Sequence, residues 1–560
     1  MIGRSSKPVL TPRAALRGVG LAVVLALVAC GGGGKSSNGA SYTIAGTITG
    51  LDVGSVVLAN GTATVTIAAG ATSWTFAGSF PSTSSYAVTV VTQPAAELCE
   101  VSNGIGATLP GDVDSVTVAC SHYGQWLWES GSNRVNASGV YGTQGTPSAS
   151  NVPGARYAGS SWTDSSGNLW LFGGVGYDLA GGAGDLNDLW RYSPSTGQWA
   201  WISGGNAVNA AGIYGTQGTA AANNVPGARY AASSWIDSSG NLWLFGGYGG
   251  DSTGSAGKLN DLWQYSPGTN EWTWLNGDNV DNAAGVYGTQ GTPSAGNVPG
   301  ARYAASSWID STGNLWLFGG FGGDSTGNAG KLNDLWRYSP STGQWAWISG
   351  GSAGNSIGVY GTRGTPSASN VPGARQAASA WIGSSGNLWL FGGYGYDSTG
   401  ALGYLHDLWQ YSPSTNEWTW ISGGNLANAS GVYGTQSTGA AGNLPGGRQA
   451  ASSWIDASGN LWLFGGYGYD SSGAVGYLND LWQYSPSTNE WTWVSDGNVV
   501  NASGAYGTQG TGAAGNLPGG RQAANSWTDA AGNLWLFGGA GDGSIGNGYL
   551  NDLWRFVRPQ

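Results

Sequence analysis

The feature that most constrains this chain is its internal repetition. The string LWLFGG begins at Leu169, Leu242, Leu315, Leu388, Leu461 and Leu534, each 73 residues after the last. YGTQGT or a close variant begins at Tyr141, Tyr214, Tyr287, Tyr360, Tyr433 and Tyr506 on the same period. Self-similarity at a fixed spacing marks a solenoid, a propeller or an array, and the content of one period decides among them.

One period reads as four strands. Residues 229–237 (RYAASSWID) form strand a and 238–240 a tight turn; 241–248 (NLWLFGGY) form strand b, ending in paired glycines. Residues 260–265 (NDLWQY) give strand c and 271–275 (EWTWL) strand d. Four antiparallel strands make one propeller blade. Composition agrees: charged residues are 9% of the chain, against 103 glycines and 31 tryptophans, which favours short strands and tight turns over helices or polar disorder. The last unit ends at 551–556 (NDLWRF), after strand c, so its strand d is missing. The segment Gln125-Trp126-Leu127-Trp128, one period before Trp199, supplies it. An N-terminal strand that completes the C-terminal blade leaves no open edge, so the expected fold is all-β with a closed six-bladed β-propeller over 122–560. The glycine pair after an apolar strand, then a polar-Asp-apolar-Trp strand, then a Trp strand, resembles the kelch motif in every unit. The resemblance implies a kelch-type propeller, related in fold to the galactose oxidase central domain.

Blades pack face to face, so both faces of an inner sheet are buried and most Trp and Phe residues are assigned to the core. Strand direction puts the short a–b and c–d turns on one face. The b–c connections (such as 249–259) and the d–a connections (such as 203–228) are read as long loops on the other, where a binding site is expected. That face carries recurring candidates. Arg156, Arg229, Arg302, Arg375, Arg448 and Arg521 stand at the start of each strand a, able either to hold a carboxylate or acidic sugar or to pair with an aspartate such as Asp188 or Asp261, or with carbonyls of a neighbouring blade. Asp178, Asp251, Asp324, Asp397 and Asp470 stand in Asp-x-x-Gly loops, and Asp542 in the corresponding loop of the last unit, as Ca²⁺ ligands or as Asx-turns; one carboxylate per loop is thin for Ca²⁺. The repeated Tyr of YGTQGT either stacks on sugars or pins the loops.

The N-terminus carries an address. Arg4, Lys7, Arg13 and Arg17 precede an apolar run from 19 to 29 that is too short to span a bilayer, the pattern of a signal peptide over 1–29. Leu27-Val28-Ala29-Cys30 resembles the lipobox of bacterial lipoproteins, which implies lipidation (palmitate) at Cys30 and a Gly/Ser tether over 30–40. Gly31 in place of an Asp then implies the outer membrane. Removal of the four basic residues takes the net charge from −11 to −15, so nucleic acid is not an expected partner. Cys99 and Cys120 remain as an even pair in an exported chain and are expected to form a disulfide. Residues 41–121 show about seven short alternating strands, read as a small β-sandwich similar to the Ig-like spacers of bacterial surface lipoproteins.

Catalysis is poorly supplied. Copper oxidases of the kelch superfamily imply paired His ligands and a Cys–Tyr cross-link, whereas the histidines here are His122 and His406 and no Cys follows Cys120. Glu271, Glu417 and Glu490 precede the strand d tryptophans on the short-turn face, opposite the arginines. No metal and no cofactor is expected. The reading is a lipid-anchored envelope protein whose propeller binds a glycan or another envelope protein without catalysis. The alternatives are a carbohydrate-active enzyme, oxidase-like or epimerase-like, and a structural surface spacer.

Overall fold

The computed structural model describes residues 41–107 and 111–558. The expected signal peptide (1–29), lipidation at Cys30 and tether (30–40) lie outside the described residues. Among those residues all regular structure is strand, and no helix is long and apolar enough to cross a membrane.

Residues 41–122 form two four-stranded sheets, plus a two-stranded ribbon of Ser41–Tyr42 with Phe80–Pro81. One runs in the order Ser73–Thr75, Ile44–Thr49, Val113–His122, Glu97–Ser102; the other runs Ala63–Ala68, Ser55–Asn60, Tyr86–Thr92, Ile105–Gly106. Ile44, Ile48, Val56, Leu58, Trp74, Val88, Val116 and Val118 fill the space between them. Cys99 and Cys120 face each other across two neighbouring strands and are joined by the disulfide. Only Tyr123 and Gly124 separate the last sandwich strand from Gln125–Ser130, the first strand of the propeller. Leu98, Leu127 and Val557 form a small buried cluster at this junction. Arg555 binds Glu100 of the sandwich and, at 2.6 Å, Glu129 of the propeller.

Each of the six blades repeats one sheet. In the second blade strand a is split into Arg229–Tyr230 and Ser233–Ile236; strand b is Leu242–Gly250, strand c Ala256–Ser266 and strand d Glu271–Asn276. Strands b and c thus run further than their apolar pattern marks, because Gly249 pairs with Gly257 through backbone alone. This corrects one expectation: the b–c connection is a tight hairpin of 251–255, and only the d–a connections are long. In the sixth blade Gln125–Ser130 takes the place of strand d, pairing antiparallel with Asn547–Val557. Trp126 meets Phe464 of the fifth blade at 5.2 Å, as Trp199 meets Phe537 and Trp345 meets Phe245 at 5.3 Å elsewhere in the ring.

Closure is also written into the backbone near the axis. The N–H of Ala158 donates to the carbonyl of Ala523, Ala231 to Ala158, Ala304 to Ala231, Ala377 to Ala304, Ala450 to Ala377 and Ala523 to Ala450, all at 2.7–2.8 Å. Six hydrogen bonds form one unbroken circle. Each of these alanines sits at the break in strand a with φ between 50 and 55°. That left-handed conformation costs an L-residue about 1–2 kcal/mol, a strain offset by one backbone hydrogen bond per blade. Between blades lie matching slabs of core. Leu169, Leu171, Trp190, Tyr192 and Trp199 of the first blade pack on Trp527, Trp535, Phe537 and Leu553 of the sixth, as every other adjacent pair does.

Candidate functional site

The six arginines singled out in the sequence are not available to a ligand. Each is 0–1% exposed and held within its own blade. Arg156 Nη1 and Nη2 donate to the two oxygens of Asp188 at 2.6 and 2.7 Å, and Nε and Nη1 donate to the carbonyls of Gly154 and Gly173 at 3.0 Å. Tyr141 Oη (2.6 Å) and Trp190 Nε1 (2.7 Å) donate to the same carboxylate. The same pairing joins Arg229 to Asp261, Arg302 to Asp334, Arg375 to Asp407, Arg448 to Asp480 and Arg521 to Asp552. Gly173 and Gly174, at φ 64° and 98°, mark a bulge in strand b where register shifts. A Cβ on Gly173 would stand 2.7 Å from the carbonyl of Arg229 in the next blade. The tyrosine of YGTQGT therefore pins each d–a loop to its blade, and burial together with the adjacent Asp188 pushes the Tyr141 hydroxyl far above its ordinary value.

The loop aspartates are likewise occupied by their own chain. Asp251 Oδ1 accepts from the amides of Thr253 and Ser255, and Oδ2 accepts from the amide of Asp281 in the d–a loop. Asp178, Asp324, Asp397 and Asp470 repeat this Asx-turn and loop clamp. Against the upward push of burial, these donors hold Asp251 below the usual carboxylate range. Asp542 departs from the pattern, accepting from Asn547 Nδ2 at 3.2 Å.

What the d–a face does offer lies one residue further along each strand. Successive residues of a strand point to opposite sides, so the residue after each buried Arg turns the other way. These are Tyr157, Tyr230, Tyr303, Gln376, Gln449 and Gln522. Opposite them in register on strand b stand Val175, Tyr248, Phe321, Tyr394, Tyr467 and Ala540. Opposite those on strand c stand Asp185, Lys258, Lys331, Tyr404, Tyr477 and Tyr549. Rings touch from blade to blade: Tyr157 and Tyr230 at 6.4 Å between centroids, Tyr230 and Tyr303 at 6.0 Å, Tyr157 and Tyr549 at 4.9 Å, Tyr404 and Tyr467 at 5.9 Å. Lys331 Nζ lies over Tyr394 at 4.7 Å and over Phe321 at 5.4 Å. The result is an aromatic collar around the axis, on the d–a side of the alanine circle.

The collar is asymmetric and electrostatically tuned. Tyrosines supply the strand a positions of three consecutive blades and glutamines those of the other three. Burial lifts the Asp185 carboxyl to about 6 and draws Lys331 down from the usual ammonium value. Burial, then the neighbouring Tyr549, raises Tyr157 to about 12. These three rows escaped the sequence reading, which sought what recurs. The signal that finds them is the converse: positions where otherwise near-identical repeats differ. At the opposite end of the axis, a cavity of about 410 Å³ is lined by Ser161, Trp162, Thr163 and their counterparts, with no charged group.

The KLHDC2/KLHL20/DRC7 Kelch-repeats domain family matches residues 216–428 and again 286–495, a span of half the chain. Two N-acetylneuraminate epimerases, from Shigella flexneri serotype 5b (strain 8401) and from Shigella flexneri, are each 48% identical to the chain over 50 residues. That stretch is 9% of this chain and 13% of the relative, so the chain matches well under two thirds of the epimerase's length. The six repeated sheets, the glycine-pair bulge with its buried Arg–Asp pair, and the family match lead to one conclusion: the chain belongs to the kelch-repeat family.

Proposed function

We propose that this is an exported, lipid-anchored binding protein that presents the aromatic collar of its propeller to a glycan. The observation that carries the reading is the collar itself. Half-buried tyrosine rings offer apolar faces with hydroxyls at their tips, and Gln376, Gln449 and Gln522 supply amide donors and acceptors beside them. A saccharide has the complementary make-up of apolar C–H faces rimmed by hydroxyls. Because the three rows differ from blade to blade, the collar offers one orientation to a ligand that six identical blades would bind in six. The sandwich joins the propeller at Gln125, where strand d begins on the short-turn face. A tether leading from the sandwich to a lipid at Cys30 would therefore leave the collar pointing away from the membrane.

The test is a glycan array probed with the full chain in detergent, beside a Tyr157→Ala/Tyr303→Ala double variant. Binding that the variant loses supports the reading. Absence of saccharide binding by the folded wild type, or binding indifferent to the variant, overturns it and favours an envelope protein as the partner.

A second reading, catalysis on a sugar at the same collar, is favoured by one observation. Asp185, lifted to about 6 by burial, is able to exchange protons near neutrality. Given the short match to N-acetylneuraminate epimerases, the check is interconversion of N-acetylneuraminate anomers followed by NMR. A rate above the uncatalysed one that Asp185→Asn abolishes would replace the binding reading.

A further inference from the structure

The strongest group of side chains outside the propeller lies where the sandwich hands the chain over to it. Glu97 is 0% exposed. Its Oε1 accepts from the amides of Asp52 and Val53 at 3.0 and 3.1 Å, and its Oε2 is buried with no hydrogen-bond partner. His122 stands opposite Glu97 in strand register, with Nδ1 3.5 Å from Glu97 Oε1 and Nε2 3.3 Å from Asp52 Oδ2. One donor atom from each of the three side chains lies within 4.8 Å of the other two. We propose that Glu97, His122 and Asp52 bind a divalent transition-metal ion such as Zn²⁺.

A buried carboxylate oxygen without a donor is costly unless a proton or a cation satisfies it. An imidazolium bridging the two carboxylates would engage Glu97 Oε1, already served by two amides, and leave Oε2 bare. A cation held among the three groups compensates the charge of this buried carboxylate. Ligands 2.0–2.2 Å from a tetrahedral Zn²⁺ stand roughly 3.3 Å from one another; an ion takes one ring nitrogen of His122, and the three ligand atoms, now within 4.8 Å of one another, close in around it. Asp52 is largely exposed and free to swing inward, and solvent completes the coordination shell. The nitrogen donor argues for a borderline metal over Ca²⁺ or Mg²⁺, which take oxygen ligands. The sequence reading expected no metal because the propeller lacks ligands; this group lies in the sandwich, on residues 52, 97 and 122, which only the fold brings together. Since His122 ends the last sandwich strand, the ion clips the 52–53 turn to the segment that enters the propeller.

The experiment uses the full chain without a polyhistidine tag, stripped with chelator and titrated with Zn²⁺ by calorimetry and with Co²⁺ by absorbance. One equivalent is expected to bind, with Glu97→Gln and His122→Asn each weakening it at least about tenfold. Glu97→Gln keeps an oxygen for the two amides, and circular dichroism checks its fold. His406→Asn, which restores the residue found in the other blades, leaves binding unchanged. Failure of the wild type to bind below about 100 µM, or binding that survives His122→Asn, or that follows His406→Asn, overturns the proposal.

Discussion

If the six arginines hold blades together and not ligands, removing one has a defined cost. Arg302 makes four hydrogen bonds: two to Asp334 at 2.7 and 2.8 Å, and one each to the carbonyls of Gly300 and Gly319 at 3.0 Å. In Arg302→Ala, Asp334 keeps Tyr287 and Trp336 as donors, both on Oδ2, while Oδ1 is left as a buried, unpaired charge. Breaking one partner of a buried pair costs about 3–5 kcal/mol, and two orphaned carbonyls add about 1–3 kcal/mol each. A loss of at least about 4 kcal/mol is therefore expected, large for a single substitution. Asp334→Asn keeps the shape and two donors but leaves the guanidinium uncompensated. The double variant Arg302→Ala/Asp334→Asn removes both charges and recovers part of the loss. The assay is a double-mutant cycle from guanidinium chloride unfolding, read by tryptophan fluorescence, with ligand binding measured on the folded fraction. A coupling energy of at least about 2 kcal/mol is expected, with binding per folded molecule unchanged. An Arg302→Ala that loses under about 1 kcal/mol, or that folds normally and loses ligand, refutes the structural assignment.

Other consequences are as direct. Asp496 replaces the glycine found at this point in the other blades, and accepts from Trp126 Nε1 at 2.9 Å; its Oδ1 is buried without a partner. Burial lifts its carboxyl to about 7, above the unfolded value near 3.9, so its contribution is complete below pH 4 and is lost as pH rises to 7. Asp496→Asn should match wild-type stability at pH 4 and exceed it at pH 8; equal stability at both, in parallel denaturant titrations, counts against the buried-acid account. Reducing the Cys99–Cys120 disulfide should weaken the sandwich by roughly 3 kcal/mol and spare the propeller, seen as a shift of one unfolding phase only. Ala304→Gly should be close to neutral, whereas Ala304→Val places a β-branched residue at φ 54° in the axial circle and should cost more than about 2 kcal/mol by the same titration.

The sequence by itself determined the number of blades, because a 73-residue period repeated six times leaves a fixed count of strands. It determined the closing strand, since Gln125-Trp126-Leu127-Trp128 matches a strand that the last unit lacks. It also determined the pairing of Cys99 with Cys120, the pair left once Cys30 is set apart. Each follows from local pattern, which strand periodicity and chain order carry without knowledge of the third dimension. Facing was another matter. That Arg156 turns into its blade while Tyr157 turns to the collar depends on the register with strand b and on the bulge at Gly173–Gly174, and a one-residue slip would exchange them. The length of strands b and c was hidden because glycines pair without leaving an apolar alternation. The collar draws its rings from blades at opposite ends of the sequence, as where Tyr157 meets Tyr549, and Glu97 meets His122 only through strand pairing and Asp52 only through the turn that leaves that sheet. Such meetings are products of closure and packing, and no local pattern encodes them.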